Sequence, residues 1–136
     1  MIVLPTKYIR KMYKDSLSSI LPIFDSLPTG TATIPYGVIS SISLSPRPAR
    51  GAKEVIATVT LQIFDEFKEN GGMLRIDNKT QQILNLLVPE TFVYLSIENF
   101  NHVICKLLDC FNDTIDISAV TVYRNTLRIE HLVSQT

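Results

Sequence analysis

The sequence predicts an α+β fold: a small, mostly antiparallel sheet with a long β-hairpin, packed by an N-terminal helix and a central helix in the order α-β-β-α-β-β. Two observations predict it. Apolar residues recur near a 3.6-residue period after Thr6 and again from Ile76 to Leu87, the mark of helices with one buried stripe. Between them Glu54 to Asp65 alternates strictly between apolar and polar positions. It follows another apolar strand with no room for a crossover helix, so the two pair as a hairpin.

Thr6 can cap the first helix, in which Ile9, Met12, Tyr13, Leu17, Ile20 and Leu21 form the buried stripe. Lys7, Arg10, Lys11 and Lys14 fall largely on the opposite side and make a candidate basic helix face. Pro22 ends the helix, and Pro28-Thr29-Gly30 marks a turn. The first strand spans Thr33 to Leu44, with Pro35 near its start, where a missing N–H is tolerated. The second places Val55, Ala57, Val59, Leu61 and Ile63 on one face and Ile56, Thr58, Thr60, Gln62 and Phe64 on the other. That is the pattern of a half-buried antiparallel strand. A basic, proline-stiffened loop over residues 45–53 is expected to project between them, so that residues 33–65 form an arm.

Glu66 to Gly72 reads as a polar loop. The central helix carries Ile76, Thr80, Ile83, Leu84 and Leu87 on one stripe and stops at Pro89. Beyond it the pattern is weaker. Phe92–Ile97 and His102–Leu108 suit short strands, although Val103–Leu108 is equally compatible with a helix. Asn112-Asp113 reads as a turn, and Val120 to Val133 is β-rich, with Leu127, Ile129 and His131 alternating with Arg128 and Glu130.

A length of 136 residues suits a single domain with one core, and 46% apolar against 19% charged residues is ordinary for a globular chain. No apolar run approaches the ~18–20 residues needed to cross a bilayer. The start, Met1-Ile2-Val3-Leu4-Pro5, lacks the basic and long apolar regions of a signal peptide, so an intracellular product with no membrane association is expected. The net charge is zero but unevenly spread. Residues 1–53 carry seven basic groups against Asp15 and Asp25, giving +5, and residues 54–136 carry the compensating −5. Such asymmetry suits copies meeting head to tail, or a basic side facing nucleic acid.

Few residues suggest chemistry. Cys105 and Cys110 lack Cys-x-x-Cys spacing and read as buried free thiols. His102, three residues before Cys105, supplies half a metal site at most, and His131 lies far off in the chain, so no metal site and no cofactor are expected. No Gly-rich phosphate loop is present. Asp65-Glu66-Phe67-Lys68 resembles the acidic–lysine strand end of metal-dependent nucleases, but the preceding strand has no Asp or Glu to complete the metal site. The stretch therefore reads as a charged loop exit. Arg47, Arg50 and Lys53 form a modest cationic footprint without interleaved aromatics.

The order of short motifs resembles the tail terminator and tail completion proteins of long-tailed bacteriophages, also called head–tail joining or minor tail proteins. The matching residues are the turn Asp25-Ser26-Leu27-Pro28, the strand start Pro35-Tyr36-Gly37-Val38-Ile39 and the strand Thr58-Val59-Thr60-Leu61-Gln62-Ile63-Phe64. After them come Gly71-Gly72, the helix Ile76–Leu87 and a last strand like Leu127-Arg128-Ile129-Glu130. The stretch from Phe92 to Ile117 is longer and more apolar than the family pattern.

The resemblance implies a structural virion protein rather than an enzyme. It implies a homo-oligomeric ring, commonly a hexamer, that caps the tail tube and docks to the head connector or neck proteins at the head–tail junction, after assembly in the bacterial host cytoplasm. In that setting Arg47, Arg50 and Lys53 are candidate residues for an interface or for the lumen through which DNA passes. A head-completion or neck protein is the nearest alternative, and a small metal-dependent nuclease a distant one.

Overall fold

The structure is a computed structural model in which residues 4–27, 35–49, 52–66, 73–89, 95–117 and 120–135 are described, with backbone alone for 47–49 and 52–53. The elements follow the order α1 (Thr6–Leu17), β1 (Ile23–Phe24), β2 (Tyr36–Ala49), β3 (Ala52–Glu66), α2 (Leu74–Leu87), β4 (Phe100–Ile117) and β5 (Val120–Gln135). One five-stranded sheet runs β1-β2-β3-β5-β4, antiparallel except for the short parallel β1–β2 pair. The α+β class, the two helices and the long hairpin are as the sequence predicts.

Both helices form, but α1 ends at Leu17 rather than running to Pro22, and Ile20 and Leu21 lie in the turn that follows, their N–H groups donating to the Leu17 carbonyl. In α1, Ile9, Met12, Tyr13 and Leu17 are buried, and in α2 it is Ile76, Thr80, Ile83 and Leu87. They pack on the sheet face formed by Ile39, Val55, Ala57, Val59, Leu61, Ile63, Leu127, Ile129 and Val133, and this is the main core. Burial of these aliphatic side chains, each worth roughly 1.5–3 kcal/mol, dominates the stability of the fold. Thr6 does not cap α1. Pro5 occupies the cap position, its carbonyl accepts from Ile9 N–H at 2.9 Å, and no side chain bonds the first turn. Proline suits that place because a helix start leaves its N–H groups unpaired in any case.

The short parallel strand β1 is not anticipated from the sequence. Of the expected Phe92–Ile97 strand, residues 95–97 form no strand beyond a lone Ile97–Phe100 bridge, and 92–94 lie outside the described residues. Besides these, the strand ladder departs from expectation in two places. β2 and β3 stay paired through the basic stretch: Ser45 opposes Ile56, Pro46 opposes Val55, Arg47 opposes Glu54, Pro48 opposes Lys53 and Ala49 opposes Ala52. Much of the expected 45–53 loop is therefore ladder, with residues 50 and 51 outside the described part. Proline fits here because, among the described residues, β1 covers β2 only at Gly37 and Val38, leaving an edge where a missing N–H costs little. The second departure is larger. Residues 100–117 form one strand, so the expected His102–Leu108 strand is only its first half. Asn112-Asp113 is no turn; the pair lies opposite Asn125 and Arg124. Cross-strand pairing with β5 overrides the local turn preference of Asn-Asp, as tertiary context commonly does.

Among the described residues no helix covers the other sheet face, which reads as rows across the strands. Ser41, Thr60, Arg128 and Asp109 form one row, and Ser43, Thr58, Glu130 and Lys106 the next. Ion pairs Arg128–Asp109 at 2.9 Å and Lys106–Glu130 at 3.1 Å close these rows, and with Arg124–Asp113 farther along they tie edge strand β4 to β5. At one end of this face Tyr36, Val38, Phe64 and Val122 form a small second apolar cluster.

Candidate functional site

Among the described residues, a close grouping of metal-ligating side chains is created by an irregularity in β4. Residues three apart on a regular strand point to opposite faces. Here the register slips between His102 and Ile104, so that His102 opposes Val133 while Cys105 opposes His131. Val133 and His131 share the helix-covered face, and the bulge therefore aims His102 and Cys105 into that same layer. One donor atom from each of His102, Cys105 and His131 lies within 4.8 Å of the others. The sequence distance that separated His131 from the other two is cancelled by β4–β5 pairing.

A directed hydrogen-bond chain runs through the group. The Leu95 N–H donates to His102 Nδ1 at 3.2 Å, which leaves the proton of a neutral His102 on Nε2. That nitrogen lies 3.2 Å from His131 Nδ1, and His131 Nε2 lies 2.6 Å from the Tyr13 hydroxyl. The consistent assignment is donation from His102 Nε2–H to His131 Nδ1, and from His131 Nε2–H to Tyr13 Oη. Burial, and then the neighbouring His102, push His131 down to about 3. Burial lowers His102, raises Tyr13 well above its usual value and pushes the Cys105 thiol up to about 12. Both imidazoles are thus neutral and Cys105 is a protonated thiol. Cys105 is buried as the sequence implies, whereas Cys110, expected to be buried too, is exposed. As it stands the cluster is a clamp joining α1, β5, β4 and the segment at Leu95.

Asp65, read from sequence as part of a charged loop exit, is an anchor. It is 1% exposed, and Arg75 from the first turn of α2 grips both its oxygens, with the Arg75 Nε contact at 2.8 Å. The Glu66 N–H adds a bond at 2.7 Å. Phe67 and Lys68 lie outside the described residues. Nearby, the buried Asn125 amide donates to Asp77 at 3.1 Å and to the Thr80 hydroxyl at 2.9 Å, and its carbonyl accepts from Asn112. These polar groups fix α2 over β3 and β5.

The basic face of α1 is partly neutralised, two carboxylates serving three of its four cations. Lys14 and Arg10 meet Asp25 at 2.6 and 3.1 Å, and Lys11 meets Glu98 at 3.1 Å. The Lys14 hydrogen bond, followed by that of Arg10, holds the Asp25 carboxyl below its ordinary value although burial opposes this. Lys7 lies 5.7 Å from the ring centroid of Tyr8. These groups surround an open cavity of about 540 Å³ that Asp15 also lines. Of the other candidate cations, Arg47 and Lys53 are strand positions near the tip of the β2–β3 hairpin, and Arg50 lies outside the described residues. The structure does not bring the two basic groups together into one described site.

His131 is what sequence reading missed. Its alternation with Leu127 and Ile129 marks it as inward-facing, but nothing local reveals the bulge that turns His102 toward it.

Among the described residues no helix is long and apolar enough to cross a membrane. No protein-family model and no curated protein matches the sequence. The fold does match a solved structure: a chain of the virion of a native gene transfer agent particle superposes with a TM-score of 0.65 at 12% identity, over 93% of this chain and 90% of that one. At that identity the likeness establishes a shared fold across nearly the whole of both chains.

Proposed function

We propose that the chain is a structural, non-catalytic virion protein of a tailed, phage-like particle. In this reading it forms a ring, hexameric in the simplest case, that terminates the tail tube at the head–tail junction and contacts the tube protein on one side and the connector on the other. The observation that carries the reading is the near-complete fold likeness to a chain of a gene transfer agent virion, which agrees with the motif order independently noted from sequence. Physically, a ring requires a heterologous contact that closes after a fixed rotation, made by two different surfaces of the same chain. The β2–β3 hairpin tip, with Arg47, Arg50 and Lys53, is the proposed contact to the tube, to a neighbour or to DNA in the lumen. The remaining charge of Lys7, Arg10, Lys11 and Lys14 belongs to a second, weaker candidate surface.

The test is the mass of the purified chain by light scattering, alone and mixed with isolated tail tubes, followed by electron microscopy of the tube ends. Rings at tube ends are expected, with assembly on the template even where the free chain is monomeric. A chain that remains monomeric in the presence of tubes and leaves their ends bare sinks the reading.

A further inference from the structure

The geometry points to a zinc site formed by His102, Cys105 and His131. Two imidazoles and a thiol are a donor set suited to Zn²⁺. The placement is a built one: the β4 bulge turns His102 and Cys105 to one face, and strand pairing sets His131 opposite Cys105. Their donor atoms lie within 4.8 Å of one another. His102 Nε2 and His131 Nδ1 are 3.2 Å apart, close to the roughly 3.3 Å edge of a tetrahedron whose metal–nitrogen bonds are about 2.0 Å. The outer nitrogen of His131 already meets the Tyr13 hydroxyl at 2.6 Å, the partner a metal-bound histidine needs to hold its ring and tautomer. A cavity of about 390 Å³ walled by Leu95, Phe100 and His102 lies beside one of the three ligands; Cys105 and His131 do not line it.

Binding follows a definite proton balance. The Cys105 thiol releases its proton to solvent and binds as thiolate. His102 must give its Nε2 lone pair to the metal, so its proton moves to Nδ1, the atom that now accepts from the Leu95 N–H. Zinc therefore trades the Leu95 hydrogen bond for a metal bond. Competition with the closed hydrogen-bond chain makes the site weaker than a four-ligand zinc finger, and the release of Leu95 is its signature.

The test uses the full chain. Protein purified without chelator is expected to contain zinc at about one ion per chain by elemental analysis. Replacement of zinc by Co²⁺ is expected to give a thiolate-to-cobalt charge-transfer band together with the visible bands of tetrahedral cobalt. Cys105→Ser is expected to abolish the charge-transfer band, and Cys110→Ser, which alters the exposed thiol, to retain it. A folded chain that shows no such band with excess cobalt overturns the proposal. So does a band that survives Cys105→Ser. Should Cys105→Ser fail to fold, the unaltered chain decides: zinc must raise its thermal midpoint by several degrees and accelerate hydrogen exchange at the Leu95 amide. No change in either measurement overturns the site.

Discussion

At the scale of single residues, the buried polar groups distinguish this core from a purely aliphatic one. Asp65 is held by Arg75, whose own side chain is nearly half exposed. Removing the arginine leaves a carboxylate with only the Glu66 N–H as described partner, so Arg75→Ala is expected to destabilise the fold by about 2 kcal/mol or more. Denaturant titration checks this; an effect within the range of ordinary surface changes contradicts the anchor role. Thr126 is the opposite case. Its hydroxyl is buried and is the one such side-chain group among the described residues without a hydrogen-bond partner. Thr126→Val keeps the shape, removes the orphan and is expected to raise stability by about 1 kcal/mol, read as a higher denaturant midpoint with unchanged slope.

Residue by residue, much of the core was legible beforehand. Val55 through Ile63 alternate into the core as the sequence implies, because a period of two on a one-sided sheet leaves only one register that buries them. His102 and Cys105 were not legible as a pair. A spacing of three separates side chains on an ideal strand, and the bulge that reunites them is a property of β4 pairing with β5.

Elements are joined by charge as well as by packing. Helix α1 is tied to the turn after β1 through Lys14 and Arg10 on Asp25. In the folded chain Asp25 lies below its usual value of 3.8, as does Asp113 beside Arg124. A carboxyl with a lowered folded pKa binds fewer protons folded than unfolded. Its contribution is therefore present above pH ~4 and is lost as pH falls through the folded value. Asp25→Asn is expected to lower the thermal midpoint at neutral pH and to converge on the parent once the pH falls below the folded value of Asp25, with the difference reduced by salt. The effect is small, since these side chains are about half exposed and such pairs contribute at most ~1 kcal/mol. Two parallel profiles with a constant offset down to the acid limit refute the assignment. Helix existence was readable from the stripe Ile76, Thr80, Ile83 and Leu87; the salt-bridge partners were not, because Asp25 and Glu98 are neighbours of α1 only in space.

For the whole molecule, both sheet edges carry features that oppose simple strand addition. Edge strand β2 bears Pro46 and Pro48, and β4 is broken by two register shifts. Ring contacts in the proposed function are therefore expected through side chains rather than through a continuous intersubunit ladder. Ile104 and Phe111 on the helix-free face of β4 are each close to half exposed, and Val120 at the end of the β4–β5 hairpin is more so. Phe111→Ser is expected to change monomer stability by no more than about 0.5 kcal/mol while weakening assembly on tail tubes. Assembly equal to that of the parent chain removes this strand from the interface.

By itself the sequence determined the α+β class, both helices, the β2–β3 hairpin and which face of β3 is buried. Each rests on a local period that only one arrangement can satisfy. The tertiary structure decided the length of β4, the place of β5 between β3 and β4 and the fate of Asn112-Asp113, which local preference makes a turn and pairing makes a strand. It also decided the histidine cluster. β5 is the last strand in sequence but lies between β3 and β4, so its contacts cross long stretches of chain, and no periodicity along one segment encodes which distant side chains will meet.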